Sequence, residues 1–445
     1  MSLDTQQEPA GSIPATLALP GAGRFWAAAL LTGAGAGIAA AVLTRLLLLI
    51  QHLVWPGPDL LDAAAHASAW RHIWVLLVAG LLTGAGQIVL HRLSSANGID
   101  ITEAISLHAG RLPAWRTLGS ALLSVLLVGM GASLGREGAP KQAGAVVANF
   151  LSDRAGLSDE QRKLLVACGA GAGMAAAYGV PLGGALFALE VLRGVLALRL
   201  ILPALLASAI AAGISWLALP DAPTYLVPAY STSASVVLWA LLAGPIAGIV
   251  SVVYVRVIAW ADRNKPSGWL RVLAPTLALG LLGIISIAFP QILGNGKDIA
   301  QLAFTNQVTP LLLLALLFLK PAATAMCLGS GVPGGLFTPS LALGALLGGL
   351  LGYLWGLLWP GVPPGLFAVI GSAAVLAATT HGPISAVVLT MELTGRDRSF
   401  ILPLLLAVGT ATVVARTIDR RSIYDARFTD KEVQDLQQAR APSAS

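Results

Sequence analysis

Charge is scarce in this sequence. Only 11% of its 445 residues are charged, against 56% that are hydrophobic. Soluble domains carry about 25% charged residues, so this chain has too few to cover a water-facing surface. With a mean hydropathy of +0.79 and apolar runs recurring from Phe25 to Arg416, it reads as an all-α, polytopic membrane protein. Cysteine is nearly absent. Cys168 and Cys327 each sit in an apolar Gly/Ala-rich run, which argues against a disulfide framework and leaves the redox compartment open. The segment before Gly21 lacks a charged stretch leading into an apolar core and a small-residue cleavage site. Residues 1–24 are expected to be a retained polar tail, not a signal peptide. No cluster of carboxylates is visible, which argues against a sodium or metal carrier; no metal or other cofactor is expected.

The net charge of +6 does not point to nucleic acid. Basic residues fall in short connectors (Arg154, Arg162, Lys163; Arg263, Lys265, Arg271) and near the C-terminus (Arg416, Arg420, Arg421, Arg427, Lys431). The positive-inside bias places that Arg-rich end in the cytoplasm.

Full spans are expected over 25–53, 73–93, 117–130, 200–217, 236–260, 272–289, 311–328 and 402–414. Shorter or broken apolar pieces lie at 143–151, 164–177, 182–192, 336–354 and 384–393. A crossing helix needs roughly twenty residues. Many of the 49 glycines and 26 prolines fall in these pieces, predicting discontinuous helices that stop at membrane depth, where backbone must be buried in protein or line a cavity. Most of the glycines serve close helix packing.

An internal repeat sharpens this picture. "YGVPLGGALFALE" resembles "HGPISAVVLTMEL", with the same nine-residue interval from Pro181 to Glu190 and from Pro383 to Glu392. "GREGAP" at 135–140 likewise matches "GLFTP" at 335–339. Both pairs share an offset of about 200 residues, the mark of two homologous halves (about 25–217 and 236–428) with a transport site at their interface. The transmembrane domain is thus expected over 25–428, and the polar tail 429–445 as a short helix that frays.

The stretch "SLGREGAPKQAG" sets Arg136 and Glu137 side by side between apolar runs. An ionised carboxylate is costly there, so it should pair, titrate or line a wet pathway. "GREGAP" and "GLFTP" each place glycine before a segment that turns helical, and a helix start offers free N–H groups and a positive dipole end to an anion. Two such starts, facing each other from inverted halves, would form an anion site near mid-membrane.

These motifs carry a family resemblance. "GREGAPKQAG" resembles the "GREGP" motif of the CLC chloride channels and proton/chloride exchangers, and "GSGVPGGLFTPSLALGALLG" is similar to their "GxFxP" region. "RRSIYDARF" looks like the segment supplying their pore tyrosine, and "YGVPLGGALFALE" also fits. The resemblance runs from about Phe25 to Phe428, and it is specific because the motifs occur in combination and in the right order. It implies an inverted repeat of two halves, a homodimer embedded in lipid with one anion pathway per subunit, and no enzymatic activity. The resemblance is to the prokaryotic type, without paired regulatory domains, and the expected location is the bacterial inner membrane.

The resemblance also implies roles for particular residues. Glu137 matches the external gating glutamate, whose carboxylate competes with the anion and carries the proton. Arg136 is then structural, satisfying backbone carbonyls, as are Gly135 and Gly138 beside it. Leu336 and Phe337 match the positions whose backbone N–H groups bind the central anion, and Tyr424 the tyrosine whose hydroxyl points at it. Three positions depart from the family pattern. Asn97, in "ANGID", stands where the family has an anion-binding serine, which puts the choice among chloride, nitrate, bromide and fluoride in doubt. The motif proline is displaced, with Ala139 in its place and Pro140 following. Val191 occupies the site of the internal proton glutamate, next to Glu190. Either protons enter by water or through Glu190, or the protein is an uncoupled channel.

The expected function is therefore transport of chloride-type monovalent anions, gated by a glutamate and coupled to proton counter-transport. An uncoupled channel of the same fold and an exporter of fluoride or another anion are the alternatives. An intramembrane hydrolase built on Ser330 and His381 is a weaker rival, because nothing in the sequence supplies the hydrogen-bonded pair and oxyanion hole it needs.

Overall fold

The computed structural model describes residues 22–93, 100–396 and 400–426, with 428, 431 and 433 beyond them. The first half contains α1 (Ala22–Val54), α2 (Leu60–Ala65), α3 (Ala69–Leu93), α4 (Ile101–Leu107), α5 (Ala114–Gly129), α6 (Gly138–Ala155), α7 (Asp159–Tyr178), α8 (Pro181–Phe187) and α9 (Leu198–Ser215). The second contains α10 (Ala234–Arg263), α11 (Leu270–Ala288), α12 (Lys297–Phe304), α13 (Pro310–Gly329), α14 (Phe337–Leu358), α15 (Pro364–Thr380), α16 (Pro383–Thr394) and α17 (Ile401–Ile418). Apart from the six-residue α2, the two series correspond helix by helix, α1 with α10 and α3 with α11 through to α9 with α17. The packing repeats as well: α1 lies on α9 as α10 lies on α17, and α6 on α7 as α14 on α15.

The halves are inverted relative to one another where they meet. Gly135 and Gly335, one in each copy of the repeated motif, form an antiparallel pair, with N–H···O distances of 2.7 and 2.8 Å. Each glycine thus ends the loop that launches the next helix, α6 or α14.

Local chemistry sets the helix ends. Ser158 and Gln161 form a capping box at the start of α7, and Gly179 ends it at φ 67°, a left-handed conformation that suits glycine. Proline opens both α8 and α16, where its missing N–H costs nothing. After α8 the chain continues as one π-helical stretch, Ala188–Arg193.

Among the described residues, seven helices are long and apolar enough to cross a membrane: α1, α3, α10, α11, α13, α14 and α17. One expectation is corrected here: the piece at 336–354 belongs to a continuous 22-residue α14 that is long and apolar enough to cross. The piece at 164–177 lies within a continuous 20-residue α7, which is not among the seven. Their glycines make contacts, not breaks. A Cβ on Gly144 of α6 would overlap the Gly169 carbonyl of α7, and one on Gly344 of α14 would lie 2.5 Å from the Gly371 carbonyl oxygen of α15. Backbones that approach so closely exclude any side chain. Conversely, the stretch expected as a span at 117–130 is the 16-residue α5. It stops before Gly131, whose φ of 107° turns the chain toward the gate loop.

Candidate functional site

Glu137 is the N-cap of α6, yet its carboxylate does not cap that helix. The side chain crosses to the other half and is fully buried. Its Oε1 accepts from the Phe337 N–H at 2.7 Å, in the first turn of α14. Its Oε2 lies 3.0 Å from the Thr338 hydroxyl and 3.2 Å from that of Tyr178, and these two hydroxyls are 2.8 Å apart. Two hydroxyls bring two protons to three contacts. With Glu137 ionised, one contact therefore has no proton; a proton on Oε2 lets each oxygen donate once around the ring.

Gly135 and Gly335 make the room for this carboxylate. A Cβ on either would overlap Oε1, and one on Gly138 would come within 3.2 Å of the Gly335 nitrogen. Leu336, the N-cap of α14, is buried just before Phe337. Arg136 differs from expectation: among the described residues no carbonyl accepts from it. Its guanidinium carbon instead lies 4.8 Å from the centre of the Tyr178 ring, and its Nε is buried without a hydrogen-bond partner. A planar, weakly hydrated cation gains from that aromatic face.

Tyr424 reaches the same region through a row of rings. Its ring meets Phe187 edge-on at 6.0 Å, Phe187 meets Phe337 at 6.2 Å, and Phe337 lies 6.2 Å from Tyr178. The Ile423 N–H, donating to the Thr379 carbonyl at 2.8 Å, ties the Tyr424 segment to the end of α15. Lys141, one turn after Glu137 on α6, is buried with its Nζ 5.1 Å from the centre of the Tyr424 ring and 5.2 Å from that of Phe187. Lys141, Tyr178 and Thr338 were not singled out from the sequence. A signal existed for Lys141: it is a lone cation in an apolar run, four residues beyond Glu137 and so on the same helical face.

Glu190 is held elsewhere. Its carboxylate accepts from the Ile384 N–H at 3.1 Å, the Ser385 N–H at 2.6 Å and the Ser385 hydroxyl at 2.5 Å, at the start of α16. Glu392 of α16 returns the arrangement, accepting from the Leu182 and Gly183 N–H groups of α8 at 3.0 and 2.6 Å. Each half thus supplies the carboxylate that caps the other half's short helix. Val191 is buried near Gly382, at the same junction. Asn97 lies outside the described residues.

The site as a whole is a carboxylate bound to a helix start between inverted halves, with a buried cation and a tyrosine behind it. Comparisons with known proteins agree with that architecture. Residues 75–416 match the family model described as voltage gated chloride channel. The chain is 32% identical over 377 residues to the voltage-gated ClC-type chloride channel ClcB of Citrobacter koseri, covering 82% of this chain and 89% of the relative. It is 31% identical over 371 residues to the H(+)/Cl(−) exchange transporter ClcA of Vibrio parahaemolyticus, covering 79% of each. Among solved structures, a slow cyanobacterial Cl−/H+ antiporter superposes with a TM-score of 0.79 at 23% identity, covering 95% of this chain and 99% of that one. A CLC-type fluoride/proton antiporter superposes with a TM-score of 0.74 at 24% identity, covering 91% and 98%. The inverted helical halves, the seven apolar spans and these matches together identify an integral, multi-pass membrane protein that belongs to the voltage-gated chloride channel (CLC) family.

Proposed function

We propose that this protein moves chloride-type monovalent anions across the membrane in exchange for protons, with Glu137 alternately filling and vacating the anion's place. The observation that carries this reading is the bond from the Phe337 N–H to Glu137 Oε1. A helix start that holds a carboxylate this way is chemically a site for an anion, and the carboxylate is the occupant already present. The ring of Glu137, Tyr178 and Thr338 oxygens gives a proton a defined place once the carboxylate accepts one. In this reading Leu336, Phe337, Tyr424 and Asn97 serve the anion, while Gly135 and Gly138 leave space for the gate. Two relatives divide in their names between channel and exchange transporter, and two similar structures are named chloride/proton and fluoride/proton antiporters. The capping duty of Glu190 leaves water as the inner proton route past Val191. An uncoupled channel is the second reading, favoured by Val191, which cannot relay a proton. The protein works as a homodimer in the bacterial inner membrane with its C-terminus in the cytoplasm.

The test is flux from liposomes of purified protein, with chloride release and proton uptake recorded together. Native protein should take up protons as chloride leaves, and lower external pH should speed chloride flux. Glu137→Gln fixes the neutral form of the gate, so chloride flux should persist while proton uptake and pH dependence disappear. Retention of both by Glu137→Gln would remove the gate assignment. Chloride flux without proton uptake in the native protein would establish the channel reading.

A further inference from the structure

Lys141 carries a buried ammonium at the end of the first turn of α6, one turn after Glu137. The start of a helix is the unfavourable end for a cation, and burial removes most of the water that would offset this. Two aromatic faces take part of water's place, with Nζ 5.1 Å from the centre of the Tyr424 ring and 5.2 Å from that of Phe187. The backbone fixes where the side chain begins. A Cβ on Gly173 of α7 would overlap the Pro140 carbonyl and lie 3.2 Å from the Lys141 nitrogen, so α6 is held hard against α7 at this turn.

The ammonium stands beside the gate's own surroundings. Phe187 meets Phe337, whose N–H holds the Glu137 carboxylate, and residues four apart on a helix share a face, with Cβ atoms about 5–6 Å apart. The packed elements bring few other charges. From α7 comes Tyr178 and from α14 Thr338, while α1 meets α6 at Gly35 and Ala36. The one charged residue of α5, Arg116, is in its first turn, at the opposite end of that helix from the gate loop. Arg136 lies over the Tyr178 ring, and Asp425, next to Tyr424, accepts from the Ser422 hydroxyl at 2.7 Å. With the gate closed, the Glu137 and Lys141 charges offset one another. Once Glu137 takes a proton and leaves, the ammonium loses that counterpart, and in a low-dielectric setting an entering monovalent anion restores the balance.

We propose that Lys141 is a fixed counter-charge shared in turn by the Glu137 carboxylate and the transported anion, a positioning residue that ties the anion's affinity to the gate's protonation. It rests on the reading of the chain as an anion transporter gated by Glu137. A cation nearby favours the ionised form of a carboxylate and attracts a free anion by the same force. A neutral side chain at position 141 therefore changes both equilibria together, which a residue that merely packs against Phe187 and Tyr424 would not do.

The test uses full-length protein in liposomes, native and with Lys141→Met or Lys141→Gln, two neutral variants so that one remains readable if the other fails to fold. Each should raise the half-saturating chloride concentration by roughly threefold to tenfold. Each should also move the pH of half-maximal flux upward by roughly half a unit to one unit, because the carboxylate then takes its proton more readily. Proton uptake should persist, since Glu137 is intact. Lys141→Arg should return both values toward native, and the same charge loss at the surface, Lys265→Gln, should leave them unchanged. By titration calorimetry in detergent, Lys141→Met should weaken chloride binding in the Glu137→Gln background as well, where the gate no longer titrates. Native chloride dependence and a native pH profile in the neutral variants overturn the proposal. Loss of proton uptake with an unaltered chloride dependence overturns it too, and makes Lys141 a proton carrier instead. A native protein that moves no chloride would overturn the transport reading, while chloride calorimetry of native and Lys141→Met protein still tests the counter-charge.

Discussion

At Gly335 one methyl group is enough to disturb the gate, because a Cβ there would occupy the space of Glu137 Oε1. Gly335→Ala should push the carboxylate off the Phe337 N–H while leaving α14 intact. Chloride flux at neutral pH should then rise toward that of Glu137→Gln, with a flatter pH dependence. Flux with native pH dependence in Gly335→Ala would mean that the carboxylate does not block the path from this position. Glu137 and Phe337 were legible because both lie in short motifs whose chemistry is local: a carboxylate and a helix start. Tyr178 and Thr338 were not, since they meet Glu137 only after segments 41 and 201 residues away fold against it. Arg136 was legible as a residue beside the gate but not in its contacts, because the Tyr178 face it covers is likewise a product of the fold.

The elements α8 and α16 are short, and each is completed by the other. The interval from Pro181 to Glu190, and from Pro383 to Glu392, was visible as a repeat. Its meaning was not: the two glutamates exchange helix starts, so each half's carboxylate lies on the other half's free N–H groups. A charged cap of this kind contributes about 1–2 kcal/mol when partly buried. Glu392→Gln should therefore lower stability by about that much, and Glu190→Gln by a similar amount, read as reduced apparent melting temperature of purified protein in detergent. Native melting behaviour in both variants would show that the caps are decorative. The same limit explains α7 and α14, whose glycines look like breaks in the sequence. Whether a glycine ends a helix or admits a neighbour depends on what lies across from it, as Gly169 lies across from Gly144.

Across the whole molecule, the face built by α8, α9, α16 and α17 poses a problem that a single copy in lipid does not solve. Leu182 is 43% exposed, Ile384 47%, Leu202 52% and Leu405 50%, which hydrocarbon could cover. The same face, however, also presents two helix starts and the half-buried Glu190 and Glu392. The carboxylates satisfy the helix starts, but a carboxylate against lipid is itself costly, by about 2–3 kcal/mol or more, whereas protein can cover it. A second copy related by a twofold axis would cover both starts at once, because the two halves present equivalent helices there. Single-molecule counting in bilayers should find two subunits per complex, and Ile384→Trp with Leu405→Trp should weaken the association. A monomer that persists at high protein density would remove this interface. Each subunit also carries its own complete gate, Glu137 and Phe337 both coming from one chain. Complexes made from one native and one Glu137→Gln subunit should therefore show half of the chloride flux dependent on pH and half independent. A single intermediate behaviour would mean that the two pathways are coupled.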